Sequence, residues 1–178
     1  MKKYLLSALL VANASACFAQ TTLEKVGKVS LGLQGAEFSY ELPLGKSLLL
    51  ESAAGLGVGM ESDKDNSRYT FYLLDPVPFV STELKWIYNR EKRETKEKNN
   101  ANNAGNYVGL QTKYSFGKNN SLALNKVLLT DIHWGLQRSL GTKFTLNTNI
   151  GLGYMYDFDT TYGNIAPVLR VKFGYRLF

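Results

Sequence analysis

The sequence is poor in the residues that build metal, redox and nucleophilic centres. It has one cysteine, Cys17, and one histidine, His133, in 178 residues. A lone thiol closes no intrachain disulfide, and a lone histidine makes a poor zinc or transition-metal site. The sequence therefore predicts no metal and no cofactor. After the first twenty residues no apolar run approaches the roughly 18 residues of a helical membrane span. The charge is mild, with 21 Lys and Arg against 15 Asp and Glu, which gives no ground for a nucleic-acid partner. Nor is there a glycine-rich phosphate loop. Gly55-Leu56-Gly57-Val58-Gly59 lies inside an alternating pattern, where a phosphate loop would follow a strand and open a helix.

What is present begins with a three-part leader. Lys2 and Lys3 form a basic head, Tyr4–Ala12 is apolar, and Asn13–Ala19 is a small-residue tail before Gln20. That order predicts a secretory signal peptide over 1–19, cleaved after Ala19. Cleavage removes Cys17 with it. A second reading makes Cys17 an acylated residue, but Ala14-Ser15-Ala16 lacks the usual large aliphatic three places back. Residues 20–178 then form one domain.

Within that domain the dominant signal is alternation with period two. Phe144, Leu146, Thr148, Ile150, Leu152, Tyr154, Tyr156 and Phe158 are mostly apolar, and the residues between them mostly polar or glycine. Leu169, Val171, Phe173, Tyr175 and Leu177 alternate with Arg170, Lys172, Gly174 and Arg176. Such runs exceed the length of an ordinary soluble strand and match the roughly 9–11 residues of a tilted membrane strand. The same pattern elsewhere predicts eight strands, near 29–42, 47–60, 68–75, 79–89, 106–116, 127–138, 143–157 and 167–177. A phase slip at Gly35-Ala36 reads as a β-bulge in the first. Short turns between neighbours predict an all-β, eight-stranded antiparallel up-and-down transmembrane barrel, with apolar side chains to lipid and polar ones to the lumen. The charged and Asn-rich stretch near 90–105 cannot bury an apolar face and is expected to be a solvated loop. Aromatics near strand ends, Tyr40, Tyr69, Trp86, Tyr88, Tyr107, Tyr114, Phe116, Tyr154, Tyr156, Phe158 and Tyr175, suggest girdles at two interfaces.

The inward positions collect acids at Glu37, Glu41, Glu51, Glu83 and Asp131, and bases at Lys85, Lys113, Arg170, Lys172 and Arg176. The two sets balance. Unpaired buried charges are costly, so a salt-bridged plug is expected rather than an open pore with a ring of one sign. Pairing of the first and last predicted strands sets Glu37 and Glu41 beside Arg170, Lys172 and Arg176. His133 shares the inward face with Asp131. Ser81, Ser115 and Ser139 also face inward, but nothing in the sequence brings one to His133, which is read as a structural lumen residue and not a catalytic one.

The leader ending before Gln20, the stretches Trp86–Arg90 and Asn102–Tyr107, and the terminal Lys172–Phe178 together resemble the small outer-membrane β-barrels of Gram-negative bacteria, in the OmpA/OmpX size class. The resemblance implies a monomer in the outer membrane, with outer-membrane lipid and the insertion machinery as partners. Phe173, Tyr175, Leu177 and Phe178 resemble the terminal signal that this machinery reads. Two features depart from the pattern. Phe178 falls out of phase with the outward register, and the 90–105 stretch falls on the periplasmic side, where turns are usually short. The implied role is structural or surface-interacting, without catalysis. A lipid-modifying membrane enzyme, a narrow passive channel and a soluble periplasmic lipocalin-like barrel with its faces reversed remain open alternatives.

Overall fold

The structure, a computed structural model, describes residues 22–62, 64, 67–70, 76–117 and 124–178. The predicted signal peptide, 1–19, lies outside them. Eight antiparallel strands close a barrel: β1 (Val26–Gly32), β2 (Gly35–Pro43), β3 (Leu48–Gly57), β6 (Val77–Ile87), β7 (Gly105–Ser115), β8 (Val127–Leu140), β9 (Phe144–Asp157) and β10 (Gly163–Arg176). Each pairs with its chain neighbour in the barrel, and β1 closes on β10 with Lys28 opposite Arg176 and Gly32 opposite Lys172. A separate hairpin, β4 (Gly59–Ser62) and β5 (Ser67–Thr70), rises between β3 and β6.

The number of barrel strands is as expected, but two of its members differ. The predicted strand 29–42 is a hairpin. Gly32 pairs with Gly35 around Leu33-Gln34, so residue i faces residue 67 − i. Odd residues on β1 therefore share a face with even residues on β2. The phase slip marks a chain reversal, and Gly35, at φ 115°, takes the positive-φ position of the turn, which favours glycine. The predicted strand 68–75 is not in the wall. Its described part, Ser67–Thr70, pairs only with β4, and 71–75 lie outside the described residues. The predicted strand 47–60 leaves the wall at Gly57; Met60, which alternation with Leu48, Leu50, Leu56 and Val58 would put on the outer face, is buried inside.

The wall is inside-out relative to a soluble barrel. Lys85 and Glu41 are fully buried, whereas Ile165 is 75% exposed, Leu31 67% and Ile132 61%. The interior is layered. At the end where the described residues begin and Phe178 lies, here the terminus end, Leu23, Leu49, Ile87 and Tyr107 form one apolar cluster. At the distal end Met60, Val127, Leu129, Met155, Ala166 and Val168 form another. The charged groups lie between them. Asp157 ties the β4–β5 hairpin over the distal end: its Oδ2 accepts the Ser62 amide at 3.0 Å and the Asn125 side-chain amide at 2.8 Å.

The 90–105 stretch is the largest correction. It lies at the terminus end, as the strand directions require, but it is folded. Arg90–Glu94 forms a short helix, α1, and Arg90, Arg93, Asn100, Asn102, Asn103 and Ala104 are buried. Arg90 and Arg93, three apart on one helix face, turn inward onto the segment's own oxygens. Arg90 Nη1 donates to the Asn100 carbonyl at 3.3 Å, and Arg93 Nε to Asn100 Oδ1 at 3.1 Å. Burial lowers both guanidinium pKa values from the ordinary arginine range. Glu91, Lys92 and Glu94 remain exposed. The sequence shows a run of mixed charge; the fold uses two of those charges as internal ties and leaves the rest in solvent.

Candidate functional site

The polar lumen gathers most of the expected residues. Glu51, on β3, is its hub. It accepts Lys28 Nζ at 3.3 Å, Lys172 Nζ at 3.0 Å and, in close contact, Lys85 Nζ. Lys28 also holds Glu41 at 2.5 Å, and Lys172 holds Glu37 at 2.6 Å. Alternation places these groups inward; the register of β1, β2, β3 and β6 brings them to one height. A second group follows toward the distal end. Arg170 pairs with Asp131, Nη1 to Oδ1 at 3.1 Å and Nη2 to Oδ2 in close contact. His133 stands between two carboxylates, Nδ1 at 2.7 Å from Asp131 Oδ1 and Nε2 at 2.9 Å from Glu83 Oε1. With both carboxylates ionised, both contacts are hydrogen bonds only when both ring nitrogens carry protons.

Some pairings differ from expectation. β1 stands between β2 and β10, so Glu41 meets Lys28 instead of the β10 cations. Arg170 meets Asp131, not a glutamate of the first strands. Arg176 leaves the network for the mouth, where it pairs with Glu24 at 2.7 Å, both partly exposed. Lys113 is buried with its Nζ 4.0 Å from the centre of the Phe79 ring, and has no carboxylate partner among the described residues. Of the inward serines none hydrogen-bonds His133; Ser139 Oγ instead donates to the Gly141 carbonyl and accepts from Asn102.

Several members were absent from the sequence-based set. Lys28 precedes the predicted strand start by one residue, although its parity with Ser30 marks it as inward. Gln137 donates to Glu41 at 3.0 Å and to the Asn102 carbonyl at 2.8 Å. Tyr107, expected in a girdle, points inward and donates to Asn147 at 2.9 Å. Its alternation with Val108 carried that signal. Glycines make room for the large inward groups: a Cβ on Gly135 would strike the Tyr107 ring, and one on Gly109 would strike His133 Nε2.

The terminus-side mouth is capped by the folded 90–104 segment. Asn103 accepts the Glu24 amide at 2.7 Å, donates to the Glu24 carbonyl at 2.8 Å and reaches Glu41 Oε2 at 2.7 Å. Asn102 accepts Arg176 at 3.1 Å. Both asparagines sit at positive φ, 52° and 55°, a region in which asparagine is more at ease than most residues.

Comparisons with protein-family models, with curated proteins and with solved structures find no match. The class is thus defined by the fold alone: an all-β, eight-stranded antiparallel closed barrel with a charged, capped interior.

Proposed function

We propose that the chain is an integral outer-membrane β-barrel with a structural or surface-interaction role and a lumen sealed by paired charges. The observation that carries this reading is the inverted burial pattern, with charge inside and Leu, Ile, Val and Phe outside. A soluble lipocalin-like barrel keeps its apolar side chains within. Two aromatic groups at opposite ends of the outer wall add support. One contains Tyr114, Phe116, Tyr156 and Phe158, with rings 5.0 to 6.0 Å apart. The other contains Trp86, Tyr88 and Trp134, with Trp134 Nε1 donating to Tyr88 Oη at 2.8 Å, and Phe144 beside Tyr175. Phe178, out of phase in the sequence, covers Gly27 on the outer face beside Tyr40. The terminal Phe173, Tyr175, Leu177 and Phe178 thus all present apolar surface outward, as a signal for insertion machinery requires.

The lumen network spans the interior and the cap covers one mouth, which favours a sealed barrel over a channel. His133 has carboxylate partners where the lipid-modifying reading needs a serine. The test is fractionation of cells that express the full chain, followed by gels with and without boiling. A band in the outer membrane that shifts on heating supports the proposal; an unshifted periplasmic band refutes it. Ile132→Lys sharpens the test. A cation on a lipid-facing strand costs roughly 2–4 kcal/mol near the bilayer midplane, whereas a surface change in a soluble barrel stays within about 0.5 kcal/mol.

A further inference from the structure

The barrel wall has a notch. β1 ends at Gly32, so it covers only the terminus-side part of β10. The last backbone bond between them runs from the Leu33 amide to the Val171 carbonyl at 3.0 Å. From there to Pro167 no described strand pairs with that edge of β10; nearer the start of β10, Asn164 donates to Ser62 Oγ of the β4–β5 hairpin at 3.1 Å. Pro167 lies in this stretch, and edge strands are where proline is tolerated. Gln34 spans the notch, its Nε2 donating to the Leu169 carbonyl at 3.5 Å, the limit of a hydrogen bond.

Gln34 lines two cavities, one on each side of the wall. Outside is a groove of about 320 Å³ lined by Leu33, Val58, Ile150, Pro167 and Leu169. Inside is a small pocket of about 20 Å³ whose lining includes Gln111, Lys113, Arg170 and Lys172. The inner pocket has polar groups to spare. Gln111 Oε1 and Arg170 Nε are buried without a partner. The lumen carboxylates Glu37, Glu41, Glu51, Glu83 and Asp131 are engaged by Lys28, Lys85, Lys172, Arg170 and the His133 ring. Lys113 is the cation left over. Glu37 also faces the pocket, but Lys172 neutralises it.

We infer that this notch binds a single-chain fatty carboxylate, with its headgroup at Lys113 and Arg170 Nε and its chain in the outer groove. A pocket of this size takes one or two waters, the room of a carboxylate's two oxygens; a phosphodiester is larger. The groove opens on the apolar outer wall, so an alkyl chain reaches it from the bilayer. The inference rests in that respect on the outer-membrane reading.

The test uses the full chain, exported and purified, in phosphatidylcholine nanodiscs. A photoactivatable twelve-carbon carboxylate is cross-linked and its sites are mapped by mass spectrometry, with laurate, dodecanol or dodecylphosphocholine as competitor. Labelling is expected at Leu33, Val58 and Leu169, reduced by laurate and not by the other two. Lys113→Met should weaken labelling there roughly tenfold, the loss of a charge-assisted hydrogen bond, and Gln34→Trp should block it. Lys113→Met removes an unpaired buried charge, so its heat-induced gel shift should survive. Labelling spread evenly round the barrel, equal competition by dodecanol, or unchanged labelling in a folded Lys113→Met protein would overturn the inference. A chain that shows no gel shift would instead refute the membrane reading beneath it.

Discussion

Replacing Glu51 with Gln removes one charge and keeps the side chain's volume. Three lysines then share one carboxylate fewer. Lys28 keeps Glu41 at 2.5 Å and Lys172 keeps Glu37 at 2.6 Å. Lys85 is the group stranded, since Glu41 and Glu83 stand 3.5 and 3.9 Å away. It is fully buried. Breaking a buried pair from one side costs about 3–5 kcal/mol, and the remaining carboxylates place Glu51→Gln near the lower figure. Glu24→Gln supplies the internal control. Its partner Arg176 is at the mouth, with both side chains about 30% exposed, so the loss should lie between about 0 and 1 kcal/mol. Urea unfolding in micelles, followed by the fluorescence of Trp86 and Trp134, measures both variants. A Glu51→Gln cost below about 1 kcal/mol, or one equal to that of Glu24→Gln, would refute the hub. A second check is coupling. Lys85→Met should recover part of the Glu51→Gln loss, because it removes the stranded charge.

Gly109→Ala should destabilise by about 1–3 kcal/mol through overpacking against His133. In a His133→Ala background the same change should cost less than half as much, which a double-mutant cycle measures. Asn103→Ala loses the bonds to Glu24 and Glu41 and strains a positive φ, for about 3–4 kcal/mol in all. Asn103→Gly keeps the backbone at ease and should cost roughly 1–2 kcal/mol less. Arg170→Ala should lower the unfolding midpoint by orphaning Asp131, and Asp131→Asn in the same chain should restore part of it. Planar-bilayer recordings should show no resolved conductance steps, even when residues 90–103 are replaced by a short turn, because the Glu51 layer still spans the lumen.

The wall was legible in the sequence because alternation has a physical period and one face must be apolar. The strands from Gly105 to Arg176 follow it with ends shifted by only a few residues. What the pattern cannot tell is whether a phase slip is a bulge or a turn. Both place a glycine at Gly35, and only the pairing of Val29 with Phe38 separates them. With the hairpin read as one strand, the count of eight was completed by placing 68–75 in the wall, where its described part pairs only with β4, and the partners of Glu41, Arg170 and Arg176 moved. Inward acids and bases could be read from parity, but neutral inward residues such as Gln137, Asn147 and Tyr107 carry no charge to draw notice. The cap was hidden for a different reason. Its composition is that of a solvated segment, and what folds it is contact with Glu24, Glu41, Gln137 and Arg176, far away in the chain.

Those contacts give the cap a place in time as well as in space. Asn102 and Asn103 touch the lead-in to β1, then β2, β8 and β10. No such set exists until the two ends of the wall have met, a closure across nearly the whole chain and therefore slow. The segment is a keystone set after the ring is complete. Until then Arg90–Lys98 is an open stretch holding five lysines and arginines, so trypsin should cut an assembling chain there and spare the finished one. The moment at which that cut is lost is a clock for barrel closure, built into the sequence at the stretch that looks least structured.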